Sequence, residues 1–308
     1  MNKVDKEIDK IYLVDKKDYS LDIAGITLRT YSSGVGILSF HLENNKYTNE
    51  NDVLKINDFG RRIYPQYLPL GDVKKSFLAY ELEIQFNENS PKPERFEYFS
   101  NDEKVENNPI KLSNTIMELL GDEFTDDKNE TQEKILVTPI IDDRMFVVSW
   151  YGNNDKIKYL GGDITRYYNR NYVNYLNKNG EYSYLEDPFW YKYIFVDADS
   201  VTCQSNLMMK NLLKNQTYDR WINYGTLYGV SRYSFVILSS NLNTLRINGA
   251  EYIFNHIKTM YYQMAVLALM QRASILRFSS EASYISNLLD ETGSKAVERI
   301  RELHSPMC

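Results

Sequence analysis

The last quarter of the chain constrains it most. From Asn248 onward, Ile253, Ile257, Met260, Met264 and Leu267 follow 4-3-4-3 spacing, the seam of a long helix that packs on other helices. The pattern continues less regularly through Ile275, Phe278, Ala282, Ile285 and Leu289, pauses at Gly293-Ser294 and resumes with Val297, Ile300 and Leu303. No proline lies between Phe189 and Ser305. A helix of roughly 40 residues would span about 60 Å, more than the diameter of a small domain, so part of it should project or meet another subunit. Two ordinary helices broken near Ser279-Ser280 are the alternative. The longest uninterrupted apolar run is Met264 to Met270, whereas a bilayer span needs about 20 such residues. No segment of this sequence is therefore expected to cross a membrane.

Residues 1–247 read as an α/β unit with a mixed sheet flanked by helices, and 248–308 as the long helix or helix pair. Gly25 to Ser32 and Val35 to Glu43 flank Ser33-Gly34, a two-residue hairpin turn. Asn51 to Tyr64 has helical spacing and stops before Pro65. Phe77 to Phe86 alternates as a strand: Leu78, Tyr80, Leu82, Ile84 and Phe86 share one side. Asn87 to Asn108 reads as a loop, Asn114 to Leu120 as a helix ending at Gly121, and Asp122 to Glu133 as an exposed acidic loop. Ile135 to Ile141 and Met145 to Tyr151 read as a hairpin around Asp142-Asp143-Arg144, and Asp163 to Leu176 as a helix. Trp190 to Val196 reads as a strand, Gln204 to Leu213 as a helix, and Tyr218 to Tyr228 and Tyr233 to Leu238 as strands joined around Gly229.

The catalytic inventory is thin, and the chain is not expected to be an enzyme. It has no phosphate-loop, serine-elbow, HExxH or dinucleotide motif. Its three histidines, His41, His256 and His304, lie far apart, and Cys203 has no activating partner nearby in sequence. Cys203 and Cys308 give no disulfide framework, so a reducing compartment is the default. A formal charge of −6 is the wrong sign for a general phosphate-backbone binder. Two groups of residues could still carry chemistry. Asp197 and Asp199 follow an apolar segment two apart and would share a face if a strand continued; hard cations such as Mg²⁺ take oxygen ligands of this kind, although turn or N-cap roles also suit Asp there. Tyr224, Tyr228 and Arg232 could hold a ligand between aromatic faces and a guanidinium, or simply form a strand with glycine bulges. Arg272 and Arg277 on the long helix are solvated or ion-paired, or near an anionic ligand.

Four stretches carry a resemblance. Arg29-Thr-Tyr-Ser-Ser-Gly-Val-Gly-Ile-Leu-Ser-Phe-His-Leu-Glu43 resembles the first hairpin of bacterial CorA-like divalent-cation transporters. Asp52 to Pro65 resembles the helix that follows in a divergent branch of that family, Trp221 to Phe235 its last sheet segment, and Tyr261 to Ala282 the start of its stalk helix. The resemblance implies a cytosolic α/β domain at the inner membrane, followed by a stalk helix that assembles a pentamer, with Mg²⁺ between the cytosolic domains holding the channel closed. The sequence departs from the family at His304-Ser-Pro-Met-Cys308, before any span, and lacks the Gly-Met-Asn pore motif. The expected role is therefore a regulatory and assembly part, soluble by itself and attached to a membrane only through a missing C-terminal part. Two alternatives stay open. One is a sensor of a nucleotide-like messenger in a CorA-like membrane effector of type III CRISPR defence; the other is a soluble enzyme with an unrecognised site.

Overall fold

A computed structural model describes residues 17–61, 81–85, 92–95, 112–127, 134–139, 145–161, 181–198, 201–240 and 250–290. The architecture is mixed α/β with a long C-terminal helix. Strands β1 (Asp22–Thr30) and β2 (Gly36–Glu43) form the expected antiparallel hairpin. Its turn differs by one residue. The Gly34 amide donates to the Tyr31 carbonyl, so Ser32 and Ser33 are the central residues. Gly34 takes the left-handed conformation at φ +71°, which costs a residue without a Cβ nothing.

Helix α1 (Glu50–Phe59) starts where the Asn49 side chain accepts from the Asn51 amide, and Gly60 caps its end. Strand β3 (Glu81–Ile84) pairs with β4 (Lys92–Arg95), so part of the segment read as a loop is an edge strand able to hold Pro93. Helix α2 (Asn114–Leu120) has the predicted bounds and ends at Gly121, and the Ser113 side chain caps its start. Within the segment read as an exposed acidic loop, β5 (Phe124–Thr125) pairs in parallel with β6 (Ile135–Leu136), and Thr125 is buried. The hairpin expected over 135–151 does not form, because β6 pairs with β5 while β7 (Val147–Gly152) pairs in parallel with β10 (Ser234–Ser239). Asp142-Asp143 and the helix read over 163–176 lie outside the described residues.

Short helix α3 (Asn154–Tyr159) follows β7. The segment read as a strand at 190–196 is helix α4 (Pro188–Phe195). A short run that is apolar on every side fits a buried helix as well as a buried strand. Asp187 decides between them, accepting from the Trp190 amide at 2.7 Å as N-cap with Pro188 in the first turn. Helix α5 (Asn206–Gln216) is capped by Ser205. Strands β8 (Thr217–Tyr218) and β9 (Thr226–Val230) are separated by a 3₁₀ turn at Ile222–Tyr224. The β9–β10 connection is Ser231 to Tyr233, and Gly229 lies inside β9.

The central sheet runs β7-β10-β9-β8. Because side chains alternate across a strand, its faces serve different layers. Leu227, Val236 and Leu238 pack with Trp190, Tyr193 and Ile194 of α4, Val53 and Leu54 of α1, and Leu213 of α5. Tyr228, Phe235 and Ile237 pack on the long helix. A satellite cluster joins Leu38 and Phe40 of the hairpin to Leu82, Ile116 and Met145.

The long helix comprises α6 (Ala250–His256), a π-helical turn (Ile257–Tyr261) and α7 (Tyr262–Asp290). It passes Ser279-Ser280 without a break. The π turn splits the predicted seam. Ile253 and Ile257 pack against the sheet, whereas Met260, Met264 and Leu267 are 45%, 58% and 50% exposed. One extra residue in a turn rotates everything beyond it by about 100°. Past the π turn the buried side chains are accordingly Ala265, Val266, Ala273 and Ser274.

Candidate functional site

The junction between the β1–β2 hairpin and the long helix is joined by a row of polar side-chain contacts. Period-two alternation puts Thr27, Arg29, His41 and Glu43 on one face of the hairpin and Leu38 and Phe40 on the other, in the satellite core. Each member of the polar face meets the helix or the cluster beside it. Lys258 donates to Glu43 at 2.7 Å. Tyr262 Oη lies 3.0 Å from Thr27 Oγ1, which lies 3.1 Å from His41 Nε2. Arg29 binds Gln263 and sits over the Tyr262 ring at 5.2 Å. At the hairpin tip, Ser274 donates to Ser33 Oγ at 3.0 Å and Arg277 donates to the Ser33 carbonyl. From Lys258 to Arg277 the helix rises about 30 Å, close to the extended reach from Ser33 to Glu43. The two elements therefore match in length along the whole contact.

A second turn joins this junction. The carbonyl of Arg232, in the β9–β10 connection, accepts from Arg272 Nη1 at 3.0 Å. Two arginines of one helix, Arg272 and Arg277, thus reach backbone carbonyls of two separate turns. Arg277 also pairs with Glu281 at 2.8 Å. The hairpin, β7 and the helix enclose an open cleft of about 3240 Å³, far larger than a typical small-molecule pocket. It is a groove between layers rather than a fitted pocket.

His41 is the titratable centre of the junction. Burial, and then the nearby Arg29 charge, hold its pKa below the ordinary histidine value. A histidine whose folded pKa is depressed favours folding while neutral. As pH falls below the unfolded value of about 6.5, the unfolded chain protonates first and stability declines until the folded pKa is passed. Unfolding midpoints measured between pH 7.5 and pH 5.5 are therefore expected to fall more in the native chain than in His41→Phe. Equal slopes in the two chains would remove His41 from this role.

The sequence-derived candidates do not converge. Asp197 follows the C-terminus of α4, where Val196 adopts a left-handed conformation at φ 54°; its Oδ2 accepts from the Thr202 amide at 3.0 Å. Asp197 and Ala198 are not part of a strand, and Asp199 lies outside the described residues. Among the described residues no three His, Cys, Asp or Glu side chains gather as a metal site. Tyr228 is buried against the helix, its Oη 3.4 Å from Tyr261 Oη; burial and that hydrogen bond push its phenol above the ordinary range. Tyr224 stands against Trp221 before β9 begins, and Arg232 follows its end. About 16 Å of strand therefore separates these two. Of the three, only Arg232 lines the cleft.

Sequence reasoning gave no role to Thr27, His41 or Tyr262, whose positions 235 residues apart meet only through the fold. The one available signal was the hairpin's polar face, which alternates with its apolar face residue by residue. Compared with protein-family models, curated proteins and solved structures, the chain matches none.

Proposed function

We propose that this chain is a regulatory and assembly module, the counterpart of the cytosolic part of a CorA-like divalent-cation transporter. In this reading the α/β head sets the position of a long helix, and helices of several copies meet. One observation carries the proposal: the helix has two apolar faces, and the head covers only one. From the π turn onward, Met260, Met264, Leu267, Gln271, Ile275, Phe278 and Ala282 form a charge-free stripe at 4-3-4-4-3-4 spacing. That is coiled-coil spacing with a single four-residue stutter. Ile275 and Phe278 are 64% and 53% exposed, so the stripe points away from the head.

The five large side chains of the stripe offer about 500 Å² per chain, or about 1,000 Å² for a pair, which reaches the lower limit of a specific interface. A second copy fits best, because an uncharged seam of this spacing is complementary to itself. The hairpin contacts give the head its grip on the helix. The reading draws no step through Mg²⁺, since the described residues of one chain supply no ligand set for it. No helix among the described residues is long and apolar enough to cross a membrane, so any membrane attachment rests on other segments.

Sedimentation velocity tests the proposal. The native chain is expected to sediment as an oligomer. Met264→Glu combined with Leu267→Glu is expected to give monomers with an unchanged unfolding midpoint, because neither side chain is buried within one chain. A native chain that stays monomeric at high concentration, or a double variant that stays oligomeric, would refute it.

A further inference from the structure

The outward stripe of the long helix has one polar member. Six of its side chains are apolar, and Gln271 stands midway between Met260 and Ala282, the two ends. Gln271 is exposed, and among the described residues its amide carries no hydrogen bond. Polar side chains on the docked face of the same helix behave differently. Gln263 binds Arg29, Ser274 donates to Ser33 Oγ at 3.0 Å, and Arg277 donates to the Ser33 carbonyl. Gln271 also marks the stutter, since it lies four residues from Leu267 on one side and four from Ile275 on the other. Two such steps in succession unwind a supercoil locally.

We infer that Gln271 fixes the register in which a second copy of the chain packs on the stripe. The inference rests on the assembly reading and deepens it. Because Gln271 is at the midpoint, any symmetric pairing that uses the whole stripe brings it beside its counterpart, whether the helices run parallel or antiparallel. There the two carboxamides satisfy each other, the N–H of one donating to the oxygen of the other. A slip by one turn sets each amide against Leu267 or Ile275, where a buried amide without a partner is penalised. The methionines of the stripe adapt to many neighbours and discriminate little. One polar side chain in an apolar seam supplies the missing choice of register, at a cost in affinity.

Two variants test it. Leu267 and Gln271 are both exposed within one chain, so changes there are expected to leave the fold intact, as circular dichroism would show. Gln271→Leu is expected to lower the dissociation constant of the oligomer about tenfold or more, because an apolar side chain replaces an amide in a covered layer. Leu267→Gln combined with Gln271→Leu keeps the composition and moves the amide by one turn. Paired with a native chain in either orientation, it leaves both amides unmatched. Native mass spectrometry of ¹⁵N-labelled native chain mixed with this double variant reads the consequence. Mixed oligomers are expected to be about tenfold rarer than in a mixture of labelled and unlabelled native chains, the effect of an unmatched buried amide. Mixing in statistical proportion, or a Gln271→Leu chain that associates no more tightly than the native one, would overturn the role of Gln271 and leave the assembly reading standing. A native chain that is monomeric throughout overturns both.

Discussion

Trp190→Ala is expected to lower the unfolding free energy by about 3–5 kcal/mol, the range for deleting a fully buried aromatic side chain. Trp190 is completely buried in the main core, on the face of α4 that meets the sheet. Its Nε1 donates to Thr217 Oγ1 at 3.0 Å, so truncation also strands a hydroxyl at the start of β8. The surrounding layer is aromatic, with Tyr193 at 6.0 Å and Phe189 stacked on Tyr193 at 5.6 Å. Rings of this size cannot collapse into the space left behind, which argues for the upper half of the range. Urea denaturation followed by far-ultraviolet circular dichroism checks it. Strands β9 and β10 carry both faces of the sheet, so head and helix contacts are expected to be lost in one transition at a lower midpoint. An unfolding free energy within about 1 kcal/mol of the native value would show that α4 does not hold the core together.

Gly229→Ala is expected to cost about 3 kcal/mol, at the top of the usual range for overpacking. A Cβ at position 229 would lie 2.4 Å from Ile194 Cγ1 and 2.9 Å from Val236 Cγ2. Both neighbours are fully buried, so neither side chain can swing into open space. The glycine is there because α4 approaches β9 too closely for any side chain. This gives the prediction a second arm. Ile194→Ala removes the closest of the clashing atoms and leaves the one with Val236, so the double variant should be more stable than the sum of the single effects by about 1–3 kcal/mol, a coupling typical of residues in contact. Additive effects would mean that Gly229 matters for its backbone alone. The sequence suggested a turn at Gly229, and only the packing of a helix from elsewhere in the chain gives the residue its actual reason.

Parts of the fold are legible in the residues because local physics decides them. The β1–β2 hairpin follows from strict alternation around Ser32-Ser33-Gly34. Helix α2 follows from Ser113, whose hydroxyl accepts from the Ile116 amide, and from Gly121 at its end. Other parts are not legible because partners matter more than pattern. Ile135 and Val147 both sit in strands, as their composition suggests, but strand pairing is chosen over distance. Strand β7 finds β10 some eighty residues later, and β6 finds β5. Trp190 to Phe195 has only Lys192 as a polar position, too little to reveal its period, and its other side chains pack in the main core.

The site divides in the same way. Arg232 stood out in the sequence as a cation among aromatics, and it does line the cleft. Tyr228 stood out for the same reason, yet its position in β9 aims it at the helix and into packing. Asp197 looked like half of a paired carboxylate, yet the left-handed Val196 turns the chain so that it caps a neighbouring amide.

The residues alone fixed the long helix and the apolar character of more than one of its faces, because helical period and the absence of proline act locally. They could not fix which face meets the head. That choice belongs to the π turn at Ile257–Tyr261, where docking against the sheet inserts one residue and rotates the rest of the helix away from the predicted seam. Linear spacing carries no record of such a rotation, and the tertiary contact that imposes it leaves the stripe from Met260 to Phe278 facing outward.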